Sequence, residues 1–274
     1  MQSENTRIQN NNGVCYLEYP MFDALPVRAA TSTRLGGVTP DPFVGAMNLS
    51  LNPQKDDPAN VRENYRLFCD ATGFSMERIV PASQFHHDNI RIATAADGGS
   101  GIVRPLPYSD VDGLVTNEKR LALAVFGADC VPLLFADKKG RAVGACHCGW
   151  KGTYFGLAAK TVKTLKQQYG VLPDDLSIVM GPCIHLCCYE VSETLAQDFQ
   201  SRFPGLPQHA IQENGDKPHL DLTAVNRYIL EKAGVPASRI FISDLCTCCH
   251  KDELFSHRGY GGKRSVNANL IMLK

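Results

Sequence analysis

At 274 residues the chain is long for one domain and short for two. With 44% hydrophobic and 20% charged residues it can bury a large core. Lysine plus arginine and aspartate plus glutamate number 28 each, so the net charge is zero, which argues against a nucleic-acid or anionic-membrane partner and favours small or phosphate-sized ligands.

The opening stretch MQSENTRIQNNNG is polar and lacks the apolar core of a signal peptide. Residues 1–14 are therefore expected to be a frayed tail and 15–274 a single domain, with the cytoplasm as compartment. The longest apolar run, LALAVFGADCVPLLFA, is interrupted by Gly127 and Asp129 and falls short of the roughly 20 residues of a membrane helix.

Strand-like runs are read at Val27–Ala30, Glu77–Gln84, Leu114–Val115, Leu121–Phe126, Val131–Phe135, Ala142–His147, Leu176–Met180, Ile240–Ser243 and Asn269–Leu273. Several are continuously apolar, as where both faces of a sheet are covered. Helices are expected between them. One starts at the Asp57-Pro58 cap and ends at Gly73, and a second carries an apolar face of Phe155, Ala158, Val162, Leu165 and Tyr169 before Gly170. Ser192 and Asp221 cap two more. The pattern predicts an α+β fold of layered mixed sheets rather than strict βαβ winding.

Five segments carry possible chemistry. In TSTRLGGVT, Arg34 beside a Gly-Gly turn offers a donor fork for phosphate or ribose, or is simply a solvated turn residue. SQFHHDN ends a predicted strand, so His86 and His87 point to opposite faces and at most one reaches a given pocket. In FGADCVPLLFAD, Asp129 and Cys130 break an apolar run, which a pocket wall would explain. In GACHCGWKGTYFG, strand alternation puts Cys146 and Cys148 on one face as packing and His147 on the other. The Gly149–Gly152 turn then leaves backbone N–H groups and Lys151 at a helix start, suited to an anion.

The last segment, DLCTCCHKDELFSHRGYGGKRS, has a metal-like CTCCH, yet no second Cys/His pair with zinc-finger spacing accompanies it. Arg258 and Arg264 there could line a site mouth or form salt bridges. Its counterpart GPCIHLCCYEV, with Cys187 and Cys188, reads as a strand-end turn packed into the core. Eleven cysteines without an export signal argue against a disulfide framework, which leaves Cys248 and Cys249 unassigned. Pairing across segments, His86, Cys130 and His147 supply two nitrogens and one sulfur, three zinc ligands with a fourth position open.

TSTRLGG, NLS, VRENYRLF, Q-F-H, ADCVPLL, H-C-G-W-K-G, MGP, CCYEV, DLT and LFSHR occur in the order seen in the YfiH-like family, also labelled laccase-domain or multi-copper polyphenol oxidoreductase proteins. The chain resembles that family from about Ala29 to Leu273. The resemblance implies a layered α/β/β/α arrangement. It also implies a zinc-dependent purine nucleoside phosphorylase acting on adenosine, inosine or methylthioadenosine with phosphate, with adenosine deaminase activity also attributed to members. It puts the metal on His86, Cys130 and His147, and makes Arg34, Asn48 and Arg258 substrate-binding residues together with Lys151. This chain has His87 where the family has Gly, Cys148 for Ala and Lys151 for Arg. Three other functions are considered: a hydrolase editing a peptidoglycan precursor, a laccase-type oxidoreductase and a non-catalytic metal- or nucleotide-binding protein. Copper chemistry of the multi-centre kind is disfavoured by eight scattered His residues without a His-x-His pair.

Overall fold

In the computed structural model, which describes residues 1–274, the chain runs through β1 (Arg7–Asn11), β2 (Val14–Glu18), β3 (Val27–Ser32), α1 (Pro58–Thr72), β4 (Ile79–Pro81), β5 (Ile90–Ile92) and β6 (Gly113–Thr116). It continues with β7 (Ala122–Gly127), β8 (Val131–Asp137), β9 (Val143–Cys148), α2 (Trp150–Tyr154), α3 (Leu157–Tyr169) and β10 (Leu176–Met180). The last elements are α4 (Glu193–Arg202), β11 (Ile211–Asn214), β12 (Lys217–Leu220), α5 (Leu222–Lys232), β13 (Ile240–Ile242) and β14 (Asn267–Leu273).

Two mixed six-stranded sheets form, in the orders β1-β2-β3-β14-β7-β4 and β13-β10-β8-β9-β6-β5. Leu121, Leu123, Val125 and Ile271 of the first meet Leu114, Leu134, Val143 and Val179 of the second in a buried layer between them. On the outer face of the first sheet, Tyr65 and Phe68 of α1 pack over Ala122, Ala124 and Leu270. On the outer face of the second, Leu157, Val162, Leu165, Phe199 and Val225 of α3, α4 and α5 cover Leu133, Phe135 and Ile178. The result is the expected α+β architecture in four layers, helix, sheet, sheet, helix. Strands buried on both faces read as continuous apolar runs, which is why their sequences did not alternate.

The helix signals act as read. Asp57, Ser192 and Asp221 accept N–H groups at their helix starts, and Gly73 and Gly170 close α1 and α3 in the left-handed conformation. Three expectations are corrected. Residues 1–14 are not a frayed tail: Arg7–Asn11 pairs with Val14–Glu18, and the Met1 amine binds Glu253 at 2.8 Å. Phe155 is 43% exposed rather than inward, because Gly156 at φ +73° breaks the helix between α2 and α3. The predicted strand Glu77–Gln84 shrinks to Ile79–Pro81, leaving His86 and His87 on a loop.

Candidate metal centre and its cavities

Sheet topology gathers three donors. Cys130 sits at the tight turn from β7 to β8, and His147 lies near the end of β9 opposite Pro132, next to the Val131–Cys148 pair. His86 reaches over from the loop between β4 and β5. Its Nε2 lies 4.0 Å from the Cys130 sulfur, and its ring meets His147 edge-on with centroids 4.9 Å apart. One donor atom from each of the three lies within 4.8 Å of the others.

The backbone is shaped for this. His86 has φ +63° and Asp129, just before Cys130, has φ +97°. Non-glycine residues in that region are strained and persist where neighbours over-determine them. Asp129 is held by Thr247 and Ser256 hydroxyls, both at 2.7 Å, and by the Arg258 N–H at 2.6 Å. Gln84 grips the backbone of Phe126 through both ends of its amide, at 2.6 and 2.7 Å.

Asp112, which sequence reasoning missed, organises both histidines. Fully buried just before β6, it accepts the N–H groups of Phe85, His86 and His87 at 2.9 to 3.1 Å, and its Oδ1 takes the His147 Nδ1 at 2.9 Å. With Nδ1 engaged, the Nε2 lone pair of His147 is free for a metal. Burial disfavours the Asp112 carboxylate, but these bonds hold it below the ordinary range. Two imidazole nitrogens and a thiolate suit a borderline-soft metal ion, so the residues present fit one.

Without metal, the trio is an ion pair. Burial opposes ionisation of Cys130, yet the facing His147, then His86, outweigh it and bring the thiol to about 6. Burial also works against the His147 cation, but Cys130 and Asp112 raise it to about 10. The lowered Cys130 pKa contributes stability that is complete above its ordinary 9.0 and is lost as pH falls through about 6. The raised His147 pKa contributes stability complete below its ordinary 6.5 and lost as pH rises through about 10. The pair therefore stabilises most between 6.5 and 9.0. In metal-free protein, Cys130 is expected to be alkylated by iodoacetamide with a half-maximal rate near pH 6, followed by peptide mass spectrometry, whereas a midpoint near 9 contradicts the ion pair.

Gly149 is fixed by space. A Cβ there would lie 2.8 Å from the Cys130 sulfur and 3.3 Å from His86 Cδ2. Gly149→Ala is expected to displace both donors and weaken metal affinity on the order of 10–100-fold, as damage just outside a ligand set does, measured by competition with a chelator.

Two cavities share His86, Ala128, Cys130 and Arg264. One, of about 550 Å³, is walled by Leu51, Phe85, Leu106, Phe126 and Val266. The other, of about 320 Å³, is lined by Trp150, Ile184, Tyr189, Leu222, His257 and Arg258. Arg264 belongs to both. Its Nε is buried without a hydrogen-bond partner, and burial lowers its pKa.

Of the residues expected to touch substrate, Arg258 lines the second cavity while its guanidinium binds the Cys188 and Glu190 carbonyls at 3.3 and 2.9 Å. Arg34 is not brought to the trio. Its guanidinium is spent on the carbonyls of Gly45, Lys251 and Pro42 and packs on Phe255 and Tyr260, so it is a strut for the loops around it. Asn48 is buried and bonded to Asp56, the Ser50 N–H and Ser265, so it holds the Ser50–Asn52 wall from behind. Lys151 is exposed, with its Nζ over the Trp150 ring rather than in either cavity. His87 is half-exposed and turned to Asp110 at 2.7 Å, away from the trio. Cys146 and Cys148, 3.7 Å apart, are buried in the apolar layer as packing.

A helix–sheet–sheet–helix domain with a two-histidine, one-cysteine centre at the sheet ends defines a class. The chain belongs to the family described as multi-copper polyphenol oxidoreductase laccase, whose model matches residues 28–274. It is 34% identical over 236 residues to the purine nucleoside phosphorylase YlmD of Geobacillus stearothermophilus, covering 84% of each chain. It is also 32% identical over 248 residues to the purine nucleoside phosphorylase LACC1 of Mus musculus, covering 89% of this chain. The chain spans about half, 55%, of that mammalian relative. Crystal structures of YlmD from Geobacillus stearothermophilus and of a Bacillus licheniformis protein titled hypothetical protein YfiH superpose with TM-scores of 0.88 and 0.87. They are 31% and 34% identical, and each match covers 97% of this chain and 98% and 99% of theirs. Among the described residues, no helix is long and apolar enough to cross a membrane.

Proposed function

We propose that this protein is a purine nucleoside phosphorylase, with zinc held by His86, Cys130 and His147. The names of the full-length bacterial relatives support the reaction. The observation that carries it is Arg264 in the two cavities that meet at the trio: its Nε is buried without a partner, and its guanidinium makes a single long bond, to the Ser265 carbonyl at 3.4 Å. A buried N–H donor without a partner is costly, and an oxyanion with several acceptor oxygens relieves it. When bound, zinc in a three-donor group supplies a Lewis acid with one coordination position open.

The residues of the chain do the rest. Arg264, with Arg258 and His257 beside it, holds phosphate next to the trio. Phe85, Leu106 and Phe126 offer apolar surface to a flat purine, and Ser50 and Asn52 offer polar groups at the same wall. Fixing phosphate and nucleoside together converts a bimolecular reaction into an intramolecular one. A phosphate oxygen then bonds the anomeric carbon as the glycosidic bond breaks; the electron pair of that bond goes to the base nitrogen, which takes up the proton that hydrogen phosphate loses, giving the sugar 1-phosphate and free base. The eleven free thiols support a reducing compartment such as the cytoplasm.

The test is release of free base from adenosine, inosine and methylthioadenosine with and without phosphate, using protein of measured zinc content. Base together with the sugar 1-phosphate (ribose 1-phosphate from adenosine and inosine, 5-methylthioribose 1-phosphate from methylthioadenosine), only when phosphate is present, is the expected result. Base released equally without phosphate, or no turnover by zinc-loaded protein, overturns the reading.

A further inference from the structure

We propose that Cys187, Cys188, Cys246 and Cys249 form a second metal centre, a closed four-thiolate zinc site that pins one wall of the catalytic cavity. It is separate from the trio and shares no residue with it.

The topology creates the site. β10 and β13 are parallel neighbours, so the segments leaving their ends emerge side by side. Cys183 bridges to Cys246, and the Thr247 N–H donates to the Cys183 carbonyl at 2.9 Å. The CTCCH segment thus gains the second cysteine pair its own neighbourhood lacks. Sulfur atoms of Cys187 and Cys188 are 3.7 Å apart, those of Cys187 and Cys249 3.7 Å, and those of Cys188 and Cys249 3.5 Å. All four lie within 4.8 Å of one another. Four sulfurs placed tetrahedrally at about 2.3 Å from zinc stand about 3.8 Å from each other, close to this spacing.

The donors are sulfur alone, with no carboxylate among them, the composition of a structural site. Cys246 is buried and accepts the His185 N–H at 3.4 Å, the kind of bond that orients a ligating thiolate. Packing does not explain the group. Cys146 and Cys148 are as close together but sit wholly in the apolar layer, whereas Cys187 and Cys249 are exposed and belong to no core cluster. Those two exposed thiols also give an ion its way in.

The consequence reaches the cavity. The Cys188 carbonyl accepts from Arg258, and Tyr189, next along the chain, lines the cavity with Arg258. Metal at the four thiols ties this wall to the 246–249 loop.

The experiment counts metal in three proteins: wild type, C187S/C249S and H86A/C130A. Zinc is expected at about two per chain in wild type and about one in each variant, since each site binds independently of the other. Cobalt-loaded H86A/C130A is expected to show sulfur-to-cobalt charge-transfer bands several-fold stronger than those of C187S/C249S, where Cys130 is the one thiolate of the remaining site. The H86A/C130A arm leaves all four thiols in place, so it stands even where C187S/C249S fails to fold. No zinc in H86A/C130A, iron in its place, or a Cys188–Cys249 disulfide in protein purified without reductant overturns the proposal. None of these readings depends on nucleoside turnover, so the proposal can fail while the phosphorylase reading stands.

Discussion

Removing any one donor of the trio is expected to lower phosphorolytic kcat/KM by about 10³-fold, because a Lewis acid worth several kcal/mol is lost, at about 1.4 kcal/mol per factor of ten. Pairs of substitutions are expected to cost little more than single ones, since the three donors act as a unit. Stability separates them. His147→Ala strips a partner from the fully buried Asp112 and leaves an under-paired carboxylate, at a cost of roughly 1–3 kcal/mol. His86 is exposed, and its backbone lies at φ +63°, where a glycine is unstrained. His86→Gly is therefore expected to lose activity while melting, in metal-free form, at or above the metal-free wild-type temperature. Kinetics, zinc content and thermal unfolding on the same preparations check all of this. Full activity in His86→Gly, or a strong fall in its metal-free melting temperature, contradicts the assignment of that residue as a strained ligand.

That strain was invisible in the sequence, and the reason is instructive. QFHH looked like the end of a strand, from which opposite faces for the two histidines followed. The loop instead turns through a left-handed residue because Asp112, 26 positions away, collects three successive N–H groups. No local pattern announces a carboxylate that acts through tertiary contacts. Strand alternation in ACHC was legible because a strand fixes side-chain direction, and it separated His147 from Cys146 and Cys148 correctly. The buried helix faces and caps were legible for the same local reason.

Elsewhere local signals misled. β1 is a polar strand, RIQNN, at a sheet edge, so it lacks the apolar content by which strands are recognised. The clue was Asn12-Gly13, both left-handed, the two-residue turn of a hairpin. The Arg34 motif suggested an anion cradle, but a guanidinium beside a glycine turn serves equally to bind carbonyls of that turn and its neighbours. Whether such a residue faces ligand or backbone is decided by what packs over it, here Phe255 and Tyr260.

The cation that does face the cavities is Arg264, and its substitution gives the second large effect. Arg264→Met is expected to raise the KM for phosphate roughly 10–100-fold, the loss of charge-assisted hydrogen bonds worth about 1.5–3 kcal/mol. Its effect on unfolding is expected to be neutral or stabilising, because the arginine Nε is buried with no partner and an apolar side chain removes that cost. Arg258 supplies the contrast. Two carbonyls already occupy its guanidinium, so Arg258→Met is expected to lower stability by about 1–2 kcal/mol and to change phosphate KM less. A cation kept for the fold loses stability when removed, and one kept for a ligand loses binding. Phosphate titrations and chemical denaturation of both variants read the two quantities separately. Should Arg264→Met unfold more easily while leaving phosphate KM unchanged, the guanidinium serves the fold, and the phosphate site lies elsewhere along the cavity.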